Sequence, residues 1–330
     1  MSATIKDVAE KAGVSVATVS RVLNEAGIVT PKTRKVVEQV IRELQYTPNR
    51  LAISLKMNRT ATIGVLLPDM YGEFFSELIR GMDLAASDEQ YHVLLSSAHG
   101  TVSDFKAALT AMTGRVDGLL LMAPSLSWKD IASCLTTKIP IVLINTEAPE
   151  NVYTSIQMDN HGGAYKMTKH LVANGHRRIA ILTGKEINKD SRERLAGYRQ
   201  AIGEGGLTPV ERDGNFNVTG GQAAMTELLT QLETPFAVFC SNDAMAIGAM
   251  RAVRDAGLQV PKDVAIAGFD DVSVAEYISP ALSSVRVSIE ELGRLAVQKL
   301  LAQLKTEQNL PPERIAFPTE LSIRESCGGI

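Results

Sequence analysis

The side chains with the clearest capacity for recognition chemistry lie near the N-terminus. One face of the segment 16–23 carries Ala17, Thr18, Ser20 and Arg21, which are small or hydroxyl-bearing residues and one long cation. An arginine fork can donate two hydrogen bonds to the major-groove edge of guanine, and hydroxyl groups suit phosphate oxygens. These residue types on one helix face favour contact with duplex DNA.

The apolar spacing around this face predicts two short helices joined by a tight turn. Gly13 can adopt the left-handed backbone that ends a first helix, and Ser15 is placed to cap a second. Two helices with a glycine in the turn form a helix-turn-helix, whose second helix can enter the major groove. The alternative is a pair of packed helices in an ordinary bundle. The apolar positions of the two helices are Ile5, Val8, Ala9, Ala12, Val19, Val22 and Leu23.

A third helix and a candidate hinge follow. Thr30 is a suitable N-cap and Pro31 suits the first helical position, so a helix that closes a small core is predicted here. The segment 49–58 can form a helix of only about two turns, which is marginal in water by itself. Leu51 and Leu55 favour a face that packs or inserts, so we interpret this segment as a hinge. The alternative is a plain linker.

Length and composition limit the class of protein. A chain of 330 residues with 45% hydrophobic residues and a mean hydropathy of +0.03 is typical of a globular protein of two or three domains. The sequence shows no apolar run long enough to span a membrane and no secretion signal, so we expect a cytoplasmic protein. Three cysteines lie far apart in no metal-ligand spacing, which predicts reduced thiols and neither metal nor cofactor.

The charge is distributed unevenly. Residues 1–60 contain ten Lys and Arg but only five Asp and Glu, which gives a net charge of +5, whereas the remaining residues carry −8. A basic small domain on an acidic large one predicts a polyanion-binding head on a body that avoids nucleic acid. The alternative is a head whose charges are merely solvated.

From residue 62 onward, apolar runs alternate with helical patterns. Because the runs are nearly continuous, they indicate parallel sheets that are covered on both faces. The pattern starts again after residue 160, which predicts two α/β subdomains with a cleft between them. Ligands of such sheets bind at the carboxyl ends of the strands. The clearest runs are 63–67, 92–95, 116–122, 141–144, 179–182, 237–240 and 264–268.

Motifs along nearly the whole chain resemble the LacI/GalR family of bacterial repressors. The resemblance implies a helix-turn-helix headpiece, a hinge helix and an α/β core similar to the periplasmic sugar-binding proteins. It also implies a homodimeric transcription regulator that binds pseudo-palindromic operator DNA and responds to a small ligand. The motifs are Ile5-Lys6-Asp7-Val8-Ala9, Gly13-Val14-Ser15, Thr18-Val19-Ser20-Arg21-Val22, Tyr46-Thr47-Pro48-Asn49, Gly175-His176-Arg177-Arg178-Ile179, Arg194-Leu195-Ala196-Gly197-Tyr198, Asn242-Asp243-Ala244-Met245-Ala246 and Gly268-Phe269-Asp270-Asp271.

The same resemblance sets the expected domain boundaries. We expect a headpiece at 1–48, a hinge helix and linker at 49–60, and a ligand-binding and dimerisation core at 61–330. Within the core, we expect an N-subdomain of about 61–158 plus 288–314. The expected C-subdomain is about 159–287 plus 315–330. The last residues contain no heptad helix of the kind that family tetramers need, so a dimer is expected.

The resemblance also assigns residues to DNA. It places Val16, Ala17 and Arg21 in the major groove, and Leu55 as a wedge that enters a base step of the minor groove. A Leu55→Ala change is therefore expected to weaken operator binding far more than nonspecific binding. The remaining residues expected at the DNA, mostly on phosphates, are Ser15, Thr18, Ser20, Asn24, Thr30, Thr33, Tyr46, Asn49, Arg50, Ala52 and Lys56.

A second set of residues is expected to line the cleft. Carboxylates, amides and arginines offer donors and acceptors to a polyhydroxylated ligand, and phenylalanines supply apolar walls. Arg192 beside Arg194 can favour an anion, but Asp159 and Asp270 offset that charge, so we favour a neutral sugar. Thr146 stands where the purine-repressor type has an aromatic residue, which disfavours a nucleobase. The set is Phe74, Phe75, Asn145, Asp159, Arg192, Arg194, Phe216, Asn242 and Asp270.

Several alternatives remain open at this stage. An Asp after a strand is often a helix cap, and Phe75 can be a core residue. An enzyme is disfavoured because no dinucleotide, P-loop, triad or H-E-x-x-H signature is present. A transport protein would need a secretion signal, and an architectural DNA protein would need no cleft. The sequence does not show whether the ligand induces or corepresses.

Overall fold

The computed structural model describes residues 3–23, 29–46, 59–306 and 310–328. The contacts divide the chain into two units, an N-terminal unit Met1–Thr60 and a large unit Ala61–Ile330. Most of the expected hinge lies outside the described residues, so the helix predicted at 49–58 stays a prediction.

The N-terminal unit contains three helices around a small apolar core. They are α1 (Ile5–Ala12), α2 (Val16–Leu23) and α3 (Pro31–Glu43). Val8, Val19 and Val37 are completely buried where the helices meet. The three predicted helices are confirmed. They pack together because each presents its apolar stripe to the other two.

The helix boundaries follow from the predicted caps. Gly13 has a φ of 65°, the left-handed conformation that ends α1. The Ser15 hydroxyl accepts a hydrogen bond of 3.2 Å from the Thr18 N–H at the start of α2. The Thr30 hydroxyl accepts one from the Thr33 N–H at the start of α3. These three residues therefore fix where the helices begin and end.

The large unit contains two six-stranded sheets. The first sheet has the order β11-β5-β4-β3-β1-β2 and is parallel throughout. With its helices it forms the first subdomain. The elements are β1 (Thr62–Leu67), α4 (Glu73–Asp88), β2 (His92–Ser97), α5 (Val102–Met112), β3 (Gly118–Leu121), α6 (Trp128–Cys134), β4 (Ile141–Ile144), β5 (Thr154–Met158), α11 (Ile289–Lys305) and β11 (Arg314–Phe317).

The second sheet has the order β12-β10-β9-β8-β6-β7, and only its β10–β12 pair is antiparallel. It forms the second subdomain. The elements are α7 (Asn160–Ala173), β6 (Ile179–Thr183), α8 (Lys189–Glu204), β7 (Val210–Asp213), α9 (Val218–Gln231), β8 (Phe236–Cys240), α10 (Asp243–Asp255), β9 (Val264–Asp270), β10 (Ser283–Arg286), β12 (Glu320–Ser322) and 3₁₀ turns at Ser273–Glu276 and Glu325–Cys327.

The chain passes between the subdomains three times. Two crossings follow β5 and β10, close to the expected positions 158 and 287. The third lies between Phe317 and Glu320, because β11 pairs with β5 in the first sheet. The C-subdomain expected from residue 315 therefore starts a few residues too early. The apolar run that begins at Ile315 does not reveal which sheet it joins.

Three further features bear on function. No described helix has both the length and the apolarity that crossing a bilayer requires. All three cysteines are free and buried. Over the described residues, no group of His, Cys, Asp or Glu side chains is arranged to hold a metal ion.

Candidate DNA-binding and effector sites

The outer face of α2 presents the predicted base-reading residues to solvent. Val16, Ala17 and Arg21 are exposed, and Val16 keeps 42% of its accessible surface. Val19 and Val22 lie on the opposite face and are buried against α1 and α3. The packing of α2 therefore fixes which of its side chains can reach another molecule.

Hydroxyl pairs mark the starts of α2 and α3. The hydroxyls of Ser15 and Thr18 lie 3.0 Å apart, and those of Thr30 and Thr33 lie 2.9 Å apart. Neither helix has an acidic residue in its first turn, whereas α1 begins with Asp7 in a capping box. The positive ends of two helix dipoles are therefore available to phosphate oxygens.

The other expected DNA contacts are placed less fully. Tyr46 is half-buried and packs on the core of the N-terminal unit, and Ser20 is partly buried on α2. The remaining six expected residues lie outside the described residues and stay predictions. They are Asn24, Asn49, Arg50, Ala52, Leu55 and Lys56.

Arg194 on α8 is the centre of the candidate effector site. It is 3% exposed, and its Nε donates a 2.8 Å hydrogen bond to Asn160 Oδ1. Its Nη1 donates to the Ser241 carbonyl and lies 3.4 Å from Asp270 Oδ1. Its guanidinium stacks 3.7 Å from the centroid of the Phe269 ring. The carboxyl ends of β5, β8 and β9 therefore meet at one buried cation.

Two buried carboxylates, Asp270 and Asp190, lie close to this cation, and a third, Asp243, lies close to Asp270. Burial raises the pKa of Asp270 to about 7, although Arg194 opposes the shift. Burial likewise raises the pKa of Asp190, which accepts a 3.0 Å hydrogen bond from Asn160. Burial and the nearby Asp270 raise the pKa of Asp243. Asp190 and Glu77 also face Asp270 and raise its pKa, so the site holds more acid than base.

Phe216 forms an apolar wall beside the arginine. Its ring centroid lies 6.0 Å from Arg194 Cζ. A Cβ on Gly184 would lie 2.0 Å from the Phe216 ring, so only glycine fits there. The Asn242 amide donates a 3.1 Å hydrogen bond to the Phe216 carbonyl and also caps α10 by accepting from the Met245 N–H. Asn242 therefore positions Phe216 rather than presenting a free amide.

Two expected residues lie apart from this cluster. Arg192 is half-exposed; it donates to the carbonyls of Glu186 and Ile187 and pairs with Glu147 at 3.3 Å. Asp159 caps α7 by accepting from the Gly162 N–H at 2.9 Å. The helix-cap alternative therefore describes Asp159, and Arg192 adds no positive charge beside Arg194.

The first subdomain contributes three expected residues. Asn145 ends β4, and its Oδ1 accepts from the Met158 N–H at 2.7 Å. The rings of Phe74 and Phe75 on α4 meet edge to face at 5.3 Å, and both pack against the buried core. Thr146 is buried, and its hydroxyl accepts from the Ala123 N–H at 2.9 Å. These residues therefore lie in the first subdomain, on α4 or directly after β4, and their place in a cleft stays a prediction.

The subdomains touch each other across the cleft. Glu77 and Glu73 on α4 accept hydrogen bonds of 2.9 and 3.2 Å from the N–H groups of Ser273 and Val274. The Lys189 N–H donates to the Pro124 carbonyl at 2.8 Å. Polar contacts therefore join both walls, and a change in the angle between the sheets must break or remake them.

Several buried polar atoms keep unused hydrogen-bonding capacity. Among the described residues, no partner contributes a hydrogen bond to Asp270 Oδ1, Ser241 Oγ, Asn145 Nδ2 or Gln157 Oε1. Such groups are costly unless a ligand or water satisfies them. Both subdomains therefore keep buried donors and acceptors that a ligand or water can satisfy.

The sequence did not point to four residues of this cluster. Asn160 follows a strand without a strong apolar signal, and Ser241 and Phe269 stand inside or beside quoted motifs without a role assigned to them. Asp190 precedes Arg194 by four residues on one helix, which was an available signal, because side chains at this spacing meet.

Comparison with known proteins finds relatives that match nearly the whole chain. Residues 4–49 match the bacterial regulatory proteins of the lacI family, and residues 168–327 match a periplasmic binding protein-like domain. The chain is 36% identical to the ribose operon repressor of Haemophilus influenzae over 98% of each chain. It is 35% identical to the HTH-type transcriptional repressor PurR of Erwinia tasmaniensis, over 99% of this chain and 98% of that one.

A solved structure agrees with these relatives. The Lac repressor dimer bound to operator and the anti-inducer ONPF superposes with a TM-score of 0.89 and 31% identity, covering 99% of each chain. The helix-turn-helix unit and the two-sheet unit are thus both matched, in the same order, along the full length. This chain belongs to the lacI family of bacterial regulatory proteins.

Proposed function

We propose that this protein is a repressor of carbohydrate-utilisation genes, and that a neutral monosaccharide, with ribose as the first candidate, changes its affinity for operator DNA. The observation that carries the proposal is the buried Arg194, whose charge is offset by Asp190 and Asp270. Arginine and carboxylates together suit the hydroxyls of an uncharged sugar. Two full-length relatives support this choice, since they are named ribose operon repressors.

The balance of charge disfavours an anionic effector. A sugar acid or phosphate would enter a site where burial already raises the carboxyl pKa values, so it would add charge repulsion. Arg192, the only further arginine expected at the cleft, pairs with Glu147 instead. A neutral ligand avoids this cost.

A nucleobase is the second candidate, because relatives of similar identity are named PurR. The position of Thr146 disfavours a nucleobase effector. The Thr146 side chain is buried and bonded to the Ala123 N–H, so it offers no ring for stacking at this position.

The proposed mechanism joins the cleft to the DNA-binding helices through the hinge. Effector binding alters the angle between the subdomains, and this changes whether paired hinge helices, with Leu55 as wedge, can enter the minor groove. Coupling of this kind typically changes operator affinity by about 5–150-fold. We infer a homodimer acting in the cytoplasm, with no catalytic step.

A patch on the second subdomain supports the dimer. Tyr277 is 81% exposed, and the next residue, Ile278, lines a groove of about 840 Å³ together with Met250 and Leu258. Exposed apolar patches of this kind mark interfaces in soluble proteins. We propose that a second copy of this chain covers it.

The test is a thermal-shift and calorimetric comparison of D-ribose, ribose 5-phosphate, D-gluconate and hypoxanthine. Ribose at 100 times its Kd should stabilise the protein by about 2.7 kcal/mol, and it should change binding to an operator selected from random duplexes. Stabilisation by hypoxanthine or by the anions alone would contradict the proposed effector class.

A further inference from the structure

Two consecutive residues at the end of β9 adopt a backbone conformation that side chains disfavour. Asp270 has a φ of 106° and Asp271 a φ of 56°. The φ of Asp270 is strained for any residue other than glycine, and the left-handed conformation of Asp271 is one that Asp tolerates better than most, so surrounding contacts must hold the turn in place. The strain lies at the carboxylate that faces Arg194.

The contacts that hold this turn converge on Asp271. Its carboxylate accepts 2.6 Å hydrogen bonds from the Ser322 hydroxyl and from Arg324 Nη1. Arg324 Nη1 also donates to the Leu282 carbonyl at 2.6 Å. The Asp271 carboxylate is only 5% exposed, so this ion pair is largely shielded from solvent.

A second set of contacts fixes the backbone around the pair. The Asp271 N–H donates to the Ser284 hydroxyl at 3.1 Å, and that hydroxyl donates to Asp243 Oδ1 at 2.6 Å. The Val287 N–H donates to the Asp270 carbonyl at 3.2 Å. The turn is therefore bonded to two of the three chain crossings, since Val287 stands at the second and Arg324 follows the third.

We infer that Asp271 and Arg324 are positioning residues for effector binding, which hold the Asp270 carboxylate against Arg194 without touching the ligand themselves. The inference rests on the proposed function of the Arg194 site. Without the pair, the turn keeps, of these contacts, only its backbone hydrogen bonds to Ser284 and Val287, so it relaxes and the Asp270 carboxylate moves away from its place in the site.

The binding test uses D-ribose as the probe and the full-length chain. Arg324→Met should weaken ribose binding tenfold or more, and Arg324→Lys should restore most of it, since it keeps a cation for Asp271. Arg199→Met is the matched control, because Arg199 makes a surface pair with Glu211 in the same subdomain. In an Asp270→Asn background, Arg324→Met should add no further loss. A loss that is equal in both backgrounds would overturn the inference.

A ligand-free measurement separates this inference from the proposed effector. The free energy of unfolding is measured as a function of pH for the chain and for its Asp270→Asn variant. The difference between the two curves gives the titration of Asp270. The charged groups that face Asp270 are Arg194, Asp190, Asp243 and Glu77. In the Arg324→Met background, the pH midpoint of the Asp270 titration should fall, because the displaced carboxylate is less buried.

The direction of this change is decisive. Loss of the Arg324 charge alone would raise the midpoint, so a rise or no change overturns the positioning role. A fall in the midpoint combined with no ribose binding by the unaltered protein would overturn only the proposed effector. A variant that fails to unfold cooperatively is replaced by Ser322→Ala, which removes one Asp271 contact and should lower the midpoint less.

Discussion

Two helices of the N-terminal unit and two of the large unit begin in opposite ways. In the N-terminal unit, α2 and α3 start with hydroxyl pairs and contain no acidic residue in the first turn. In the large unit, α8 and α10 start with the buried acids Asp190 and Asp243. The same helix dipole therefore meets solvent in one unit and the protein's own carboxylates in the other.

This difference explains which ligand each unit can take. An open helix start with short donors suits the phosphate oxygens of DNA, which bring the negative charge themselves. A helix start that already faces carboxylates leaves no unbalanced positive charge for an anion. This contrast supports the proposal of a neutral, hydroxyl-rich ligand for the large unit and of DNA for the N-terminal unit.

The largest expected effect comes from removing the cation of the acid-rich site. Arg194→Met leaves Asp190 and Asp270 buried without their partner, so we expect a loss of about 3–5 kcal/mol of unfolding free energy. Denaturant unfolding and ribose calorimetry measure the loss of stability and of binding. Arg192→Met is the control, because this exposed pair with Glu147 should contribute less than about 1 kcal/mol. Equal losses in both variants would contradict the central role of Arg194.

The second largest effect is expected on the pH dependence of the unfolding free energy. Because the pKa of Asp270 is raised from 3.8 to about 7, the folded state holds this proton more tightly than the unfolded chain. The contribution of this group is therefore complete below its ordinary pKa and is lost as the pH rises to about 7, by a few kcal/mol. The unfolding free energy of Asp270→Asn should decline less steeply over this range, and parallel curves would show that Asp270 titrates normally.

In the N-terminal unit, the base-reading cation should have an intermediate effect. Arg21→Met is expected to weaken binding to the selected operator by about 1–3 kcal/mol, while random duplexes lose much less. Fluorescence anisotropy on both duplexes measures the difference. Arg42→Met, in the last turn of α3, serves as the control. Similar losses on operator and random DNA would mean that Arg21 contacts only phosphates.

The smallest effect tests the open helix starts directly. Thr30→Ala and Thr101→Ala each remove an N-cap hydroxyl, from α3 and from α5, and should each cost about 1 kcal/mol of stability. We expect only Thr30→Ala to weaken DNA binding, by less than tenfold and equally on specific and random duplexes, because phosphate contacts carry no sequence information. Weaker DNA binding by Thr101→Ala would contradict the proposed difference between the helix starts of the two units.

Much of the fold could be predicted from local sequence. The caps Thr30 and Ser15 and the stop at Gly13 set the N-terminal helices, because capping acts within four residues. Strands with buried apolar runs were also predictable. β7 and β10 were not, since their sequences, VERD and SSVR, carry no apolar run and take their place from their neighbours.

The candidate effector site could likewise be predicted only in part from the sequence. The residue types that follow strands β8 and β9 already indicated a polar ligand for the large unit, whereas the charge asymmetry between the two units indicated a polyanion for the N-terminal unit. The two arginines are two positions apart on one helix and therefore point to different sides, but the sequence could not show which of them turns inward, because that depends on how the helix packs: Arg192 turns to Glu147 and Arg194 turns inward.

What the sequence determined by itself is therefore the class of each element and the chemistry available to it. Helix caps, apolar periods and the excess of positive charge before residue 60 are local properties, and they hold whatever the rest of the chain does. The tertiary structure alone decided which polar groups share a site. Asn160, Arg194, Ser241 and Asp270 come from four separate segments. Ser241 and Asp270 meet because β8 and β9 are parallel neighbours that end at one edge of the second sheet, whereas Asn160 follows a strand of the first sheet and Arg194 stands on α8, so only the tertiary packing brings all four together.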